Sequence, residues 1–346
     1  MTTRLLVAIA GLAAAATSSH AQQLVMVADS TNDRISTFSA VDGSLVNASF
    51  IVNQAGFTFN FPKDVIQVGN EVWVSDQTAD SIFRFNLQGQ YLSTIGGGAT
   101  GGLDNIRGME FIAGTIYVSN GGTANGSPGA NSVVKFDTTG ANIGNFTAAA
   151  SPFDIYPLSP TEILVSGSSN NPDVTRHDLA GALLGTWNNG TISFAEQITQ
   201  RANGEFLIAG FTDGQIHRYN ATGVDLGNLF AAPGARGVIE LQNGDIMWTA
   251  SSGIHVRNLT TSVDTIVLVT NGAQLVNKLT ISQSSCYANC DGSTSTPLLT
   301  ANDFQCFLNA YAANDSYANC DGSTSTPILT ANDFQCFLNT FAAGCS

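Results

Sequence analysis

LVMVADSTNDRISTFSAVDGSLV, residues 24–46, decides the architecture. An apolar strand ends at Ala28-Asp29, a polar turn follows, and a second strand carrying Phe38 stops at Gly43. The first strand returns as EVWVSD ending at Asp76, TIYVSN at Asn120, EILVSG at Gly167, EFLIAG at Gly210 and DIMWTA at Ala250. Its companion returns with Phe85 and Gly89, Phe136 and Gly140, His177 and Gly181, and Tyr219 and Gly223. The sixth copy, IHVRNLTTS, has Arg257 in place of the aromatic and Ser262 in place of the glycine. The spacing is roughly 40–50 residues, a period at which repeats build arrays rather than one continuous core.

Working outward, each unit gains two more strands. A β-rich run such as QYLSTI or DTIVLV follows the glycine turn, and another strand precedes most copies, as in DVIQVGNEVW, MEFIAGTIYV and VIELQNGDIMW. Gly69-Asn70, Asn203-Gly204 and Asn243-Gly244 supply the positive φ that a two-residue hairpin requires. Four strands in each of six units, with no long amphipathic helix, predict a mainly β chain folded as a six-bladed β-propeller. The first unit lacks its leading strand, which VNKLTIS (Val276 to Ser282) supplies from the far end. Closure by both ends of the repeat region hides sheet edges that would otherwise pair with other chains. A two-sheet sandwich is the alternative, and the regular period argues against it.

The chain's ends read differently. In residues 1–21, Arg4 precedes the apolar run Leu5 to Ala16, and Ser19-His20-Ala21 offers a small-residue cleavage site. This is the pattern of a secretory signal peptide, too short to span a membrane, and it predicts a secreted, extracellular product. All six cysteines lie at or after Cys286, as expected of an exported module too small to bury a real core. The tail has no histidine and no C-x-x-C pair, which argues for disulfides over zinc. The net charge of −14, with 26 acids against 12 bases, speaks against nucleic acid or anionic lipid as a partner. The expected boundaries are 22–283 for the propeller and 284–346 for the tail.

ADSTNDRISTFSAVDGSLV resembles an NHL repeat through Asp29, Asn32, Arg34, Ile35, Phe38 and Gly43. The other five units lack the arginine at the Arg34 position. The resemblance implies a superfamily of propellers that mostly bind proteins or ligands. One branch, resembling senescence marker protein and gluconolactonase, hydrolyses lactones with a central calcium.

Inner strands line a propeller's channel, so their first residues are candidate ligand contacts. These are Lys63-Asp64, Arg107-Gly108, Phe153-Asp154, Ala195-Glu196, Arg236-Gly237 and Asn277-Lys278. A mixed ring of Lys63, Asp64, Arg107, Asp154, Glu196, Arg236 and Lys278 suits a polar or anionic ligand, or else ion pairs between neighbouring blades. A lactonase-type metal site would draw on Asp64, Asp154, Glu196 and Asn120, against four cations in the same ring. His177, His217 and His255 all fall on third strands, away from the channel, and no serine or cysteine nucleophile has a recognisable setting. Arg84, Lys135, Arg176 and Arg218 share one third-strand position, read as a solvated blade face.

The tail is itself a duplication. YANCDGSTSTPLLTANDFQCFLN, from Tyr287, repeats almost unchanged from Tyr317. Thr300 caps a helix with Asp303 three residues on, and Phe304, Phe307, Leu308 and Tyr311 form one apolar face. Thr330, Asp333, Phe334, Phe337, Leu338 and Phe341 repeat the design, so the two helices should pack through their aromatic faces. Asn289, Asp291, Ser293 and Asp303, with Asn319, Asp321, Ser323 and Asp333 in the second copy, place oxygens at alternating loop positions before a helix, as calcium prefers. The loop runs longer than a standard one, so either calcium or the disulfides organise it. Asp303 and Cys306 share the helix face turned toward their own loop, which carries Cys290. This predicts Cys290–Cys306 and Cys320–Cys336, leaving Cys286 and Cys345 to clasp the ends.

The repeated Asn-x-Asp-Gly loop with its distal Asp-Phe helix resembles a dockerin, closest to the cysteine-bearing kind on exported bacterial surface proteins. That resemblance implies calcium and a cohesin-like protein or cell-surface component as partner. The expected function is a binding propeller for a protein or glycan, tethered by its tail. The alternative is a calcium-dependent lactonase or polysaccharide-active hydrolase on the same tether.

Overall fold

The computed structural model describes residues 22–148, 151–168, 173–188, 191–281, 287–291, 293, 297–321, 323 and 326–344. They form two compact units, Gln23–Thr280 and the region from Ile281 onward.

The first unit is a propeller of six four-stranded sheets. Inner strands are Pro62–Val68, Ile106–Ile112, Pro152–Ser159, Ala195–Gln200 and Val238–Glu240 in blades two to six. Blade one is closed as expected: Ala273–Ile281 is its inner strand, beside Gln22–Asp29, Arg34–Ser39 and Leu45–Val52. Ser30 N and Oγ both donate to the Gly272 carbonyl, at 2.8 and 3.1 Å, fastening the two ends of the ring.

The core lies between blades. Trp73 and Ile82 of blade two pack with Ile116, Val134 and Phe136 of blade three. Val25 and Phe38 of blade one meet Met247, Ile254 and Val256 of blade six. The repeated aromatic is what fills these layers: Phe38, Phe85 and Tyr219 are fully buried. Burying such a side chain contributes about 1.5–3 kcal/mol. Where blade six lacks the aromatic, Arg257 lies over the Phe230 ring, 5.5 Å from its centroid. The acid that ends several second strands has a local task. Asp76 accepts from the amides of Asn60, Phe61, Thr78 and Ala79, tying down the loop ahead of its own inner strand.

Around the axis, the inner strands of blades two to five open on a break in register. The break aligns Lys63, Arg107, Phe153, Glu196, Arg236 and Gln274 as one level. The next level is Asp64, Gly108, Asp154, Gln197, Gly237 and Leu275. Carbonyls of the first level are taken by the preceding blade: Ser75 Oγ donates to Arg107 O at 2.6 Å, Ser119 to Phe153 at 2.8 Å and Ser166 to Glu196 at 2.7 Å. Thr249 donates likewise to Gln274. Blade five has Ala209 there, and the Gln197 amide reaches Arg236 O at 3.2 Å instead.

Amides freed by the break are taken by the second level. Asp64 Oδ2 accepts from Met109 N at 2.7 Å, and Asp154 Oδ2 from Ile198 N at 2.8 Å. Gln197 Oε1 accepts from Val238 N and Val276 N, both at 3.1 Å. Glycines at Gly108 and Gly237 leave room for these acceptors. A Cβ on Gly108 would stand 2.6 Å from Phe153 O and 2.7 Å from Asp154 Oδ1.

In the second unit, α1 (Ala301–Ala312) and α2 (Ala331–Ala343) carry the predicted capping boxes at Thr300–Asp303 and Thr330–Asp333. Phe307 and Phe337 stack with centroids 4.1 Å apart, both fully buried, and Phe304 meets Phe334 edge-on. Tyr287 stacks on Tyr317 at 5.0 Å, each hydroxyl donating to the other's backbone carbonyl. The helices therefore pack as expected, through a reciprocal aromatic core that also enlists the two loop tyrosines. Cys290–Cys306 and Cys320–Cys336 are bonded. The expected Cys286–Cys345 clasp lies outside the described residues.

Tight spacing at the hub makes a direct test. Gly108→Ala is expected to lower stability in urea unfolding by about 1–3 kcal/mol through overpacking. Ser75→Ala, which removes one inter-blade bond, should cost about 1 kcal/mol. A Gly108→Ala protein as stable as the parent would show that the hub is not close-packed.

Candidate functional site

At the channel mouth where the inner strands begin, Lys63 reaches across the axis. Its Nζ donates to Gln274 Oε1 at 2.5 Å, lies 3.6 Å from Glu196 Oε2 and sits 4.5 Å above the Phe153 ring. Arg236 Nη1 completes the cluster at 2.8 Å from Glu196 Oε1. Burial draws the Lys63 ammonium down to about 8; Glu196 opposes that shift, and Arg236 and Arg107 add to it. Blades two, five and six are thus joined by ion pairs across the channel, with Glu196 shared between Lys63 and Arg236.

Arg107, on the same level, has a different set of partners. Its Nη1 bonds Ser151 O, Ser151 Oγ and Pro152 O, and its guanidinium lies 5.0 Å from the Phe153 centroid. Phe194 packs edge-on between Phe153 and Phe211, at 5.4 and 5.3 Å. The Arg236 guanidinium covers Phe211 at 4.3 Å.

Two expectations about this ring need correction. Lys278 is not a member. The hydroxyl bond from Thr249 to the Gln274 carbonyl, and the Lys63 bond to the Gln274 side chain, put Gln274-Leu275 level with Lys63-Asp64; Lys278 stands four residues farther along the strand, exposed at the other end of the channel. The glutamate of blade five likewise pairs in level with Lys63, not Asp64, so Glu196 belongs with the cations. Asp64 and Asp154 lie one level deeper, with oxygens committed to backbone amides. Asp64 Oδ1 also accepts from Val65 N and Asn277 Nδ2, both at 2.8 Å.

The central calcium that the lactonase resemblance implies does not fit this channel. Asn120, the fourth candidate, accepts from Asp104 N at 2.8 Å and donates to Gly122 and Gly129 carbonyls. Among the described residues no three His, Cys, Asp or Glu side chains converge as a cation site. At the far end of the channel is a pocket of about 220 Å³, bounded by Gln67, Glu110, Tyr156, Gln200, Asn277 and Lys278.

The buried acids titrate unusually. Burial lifts Asp64 to about 6, with the amide bonds of Met109 and Val65 working the other way. Asp154 is raised well above the ordinary carboxylate range by burial, then by Asp64. Glu110, half-buried in the pocket wall, is pushed up to about 8 by burial and by Asp64.

Histidines occupy third strands, as read. One setting was missed: Ser252 Oγ lies 2.9 Å from His255 Nε2, and His255 Nδ1 lies 3.3 Å from Asp264 Oδ1. The connectivity is that of a hydrolase relay. Here Trp248 stacks on the imidazole at 4.0 Å and donates to Asp264 Oδ2 at 3.1 Å, so the four side chains staple three strands of the weakest repeat. Turn, third strand and fourth strand each contribute one member, so no local motif announced it. On the blade faces, Arg84, Arg176 and Arg218 pair with Glu71, Glu162 and Glu205 at 2.8, 3.4 and 3.7 Å.

The tail loops bring their candidate residues together in duplicate. Asn289 Nδ2 donates to Ser293 O, Ser293 N to Asp291 Oδ1, and Asp291 N to Asp303 Oδ1. Asp303 Oδ2 accepts from Thr300 N. The second copy matches through Asn319, Ser323, Asp321, Asp333 and Thr330. Hydrogen bonding, chiefly from Ser293 N, holds Asp291 below its usual range. Asn289 Oδ1 and Asn319 Oδ1 are buried acceptors without a hydrogen-bond partner. An orphaned oxygen beside two carboxylates in each loop fits a hard cation.

No protein-family profile matches this chain, and no curated protein matches it in sequence. Its fold is shared with solved structures. It superposes on a chain of the nidogen/laminin complex at TM-score 0.55 and 13% identity, covering 74% of this chain and 98% of that one. A streptogramin B lyase gives 0.50 and 14%, covering 73% and 82%. The WD40 propeller domain of Doa1 gives 0.50 and 14%, covering 81% and 95%. At such identities the likeness establishes the propeller alone. No described helix is long and apolar enough to cross a membrane.

Raised carboxylate pKa values mean that the folded chain holds protons the unfolded chain has released. Stability should therefore fall as pH rises from the ordinary carboxylate value of 3.8 through about 6 for Asp64, and on toward about 8 for Glu110. The melting temperature is expected to be higher near ~pH 5 than near ~pH 8, with Asp154→Asn flattening the difference. An unchanged pH slope in Asp154→Asn would clear that acid as a source. Ser252 should resist fluorophosphonate labelling; rapid labelling would make it a nucleophile.

Proposed function

We propose that this is an exported binding protein, a propeller tethered through its cysteine-braced tail to a cohesin-like protein or another cell-surface component. The observation that carries the reading is the state of the channel. Lys63 bars it, and the acids a lactonase would turn on a metal serve backbone amides of the next blade. Hydrolysis of a lactone or polysaccharide has no comparable support. A similarly shaped propeller stands in a complex named for two proteins, nidogen and laminin, which is consistent with recognition of a protein.

For the tail we infer calcium. Asn289, Asp291 and Asp303 would hold one ion, and Asn319, Asp321 and Asp333 a second. When bound, the ion supplies positive charge that neutralises the paired carboxylates. The chain's own contribution is to preorganise the oxygens: the disulfide pins each loop to its helix, and Thr300 and Thr330 orient the helix-opening aspartates. The signal sequence, the clustered cysteines and the duplicated loops all support export and tethering.

The test uses the full chain. Calorimetric titration should find two calcium ions per chain, and Asp303→Asn with Asp333→Asn should abolish uptake and release the exported protein from the cell surface. No uptake by the parent at millimolar calcium would overturn the calcium inference. Undiminished surface attachment of a variant that no longer binds calcium would overturn calcium-dependent tethering.

A further inference from the structure

We propose that the mouth of the channel binds a small organic carboxylate between Arg107 and Arg236, with the rings of Phe194 and Phe211 against its apolar body. The proposal rests on the binding-protein reading and names the ligand class for its propeller.

Charge at the mouth is unbalanced. Lys63, Arg107 and Arg236 face one anion, Glu196, which is shared between Lys63 and Arg236. Arg107 has no carboxylate within ion-pair distance among the described residues, in a chain with 26 acids and only 12 bases. Its side chain is held nonetheless: the residue is 9% exposed, and Nη1 is fixed by Ser151 and Pro152. Its Nε is buried with no hydrogen-bond partner. A fixed, desolvated guanidinium with an unused donor is preorganised for an acceptor. Arg236 is the accessible partner, its side chain 23% exposed, with only Nη1 on Glu196.

The aromatic side of the mouth is held at a cost. Phe194 has φ +65°, the one aromatic in the left-handed region among the described residues. A bulky side chain is strained there and stays only where its surroundings demand it. The Phe211 amide bonds Phe194 O at 3.0 Å and Thr212 N bonds Ser193 O at 3.0 Å, fixing this loop against the next one. The result keeps Phe194, partly exposed, between Phe153 and Phe211.

Chemistry selects the ligand. A guanidinium's planar fork matches a carboxylate, and phenyl rings favour an apolar body over a sugar or a bare inorganic anion. Lys63 closes the channel beneath, so the ligand docks at the mouth and does not pass through. Lys278, at the opposite end, is outside the site.

Binding is read by calorimetry or saturation-transfer NMR on the full chain at low ionic strength, with benzoate as probe. Benzyl alcohol, glucose and sulfate serve as comparisons. Benzoate is expected to bind once per chain, and Arg236→Gln to weaken it about tenfold, the factor of one lost charge-assisted pair. Arg107→Gln should do the same. Because Arg107 also bonds blade four, Arg107→Lys, which keeps the charge and loses the fork, is measured beside it, with melting curves for all. Lys278→Gln should leave affinity unchanged.

The proposal is overturned if benzoate does not bind the parent at millimolar concentration, if benzyl alcohol or sulfate binds as well, or if Arg236→Gln folds normally and binds undiminished. Any of these leaves the tethering reading intact, since that depends on calcium uptake and surface attachment. Loss of tethering with benzoate binding retained would fail only the latter.

Discussion

Four of the six inner strands break register as they start, and the centre of the propeller is organised by how the freed backbone groups are satisfied. A buried amide or carbonyl without a partner costs more than most side-chain contacts return. Six strands converge on one axis, so the unsatisfied groups of each must be met by its neighbours. Hydroxyls of Ser75, Ser119, Ser166 and Thr249 take the carbonyls. Asp64, Asp154 and Gln197 take the amides. Gly108 and Gly237 make room for them. Blades are thereby locked in order, and acidic side chains in a pore turn out to be structural.

That accounting bears on function. A metal-dependent lactonase needs carboxylates free to hold its ion, and Asp64 and Asp154 are committed to backbone amides. What remains available is the layer above, where two guanidinium groups and a strained phenylalanine surround a barred channel. The tail follows a different economy of atoms. Its helix-opening aspartates are buried within their own loops, and a side-chain oxygen of Asn289 and of Asn319 stays unmatched. Propeller and tail are separate compact units.

Repetition made much of this legible. The recurring strand with its terminal acid or amide, and the aromatic-glycine strand after it, announced blade number and closure by both ends, and the tail's own duplication announced its two loop-to-helix disulfides. The candidate ring was read less well. Asp64 and Lys63 are neighbours in sequence but face different tasks, because a one-residue break moves a side chain from one level of the channel to the next. Gln274, which carries no charge, was passed over for Lys278, four residues farther along the same strand. Ser252, His255 and Asp264 escaped because cross-strand register, which no local motif records, brings them together.

Two kinds of information are thus separable. The order of apolar, aromatic and turn residues determined by itself that this chain forms six four-stranded blades and a duplicated loop–helix tail, since strand, hairpin and capping preferences act over a few neighbours. Which polar side chains are used up and which are left over was decided only in three dimensions. Arg107 and Asp64 are both charged residues at the start of an inner strand, and only the neighbouring blade determines that one is satisfied while the other keeps a buried donor unmatched.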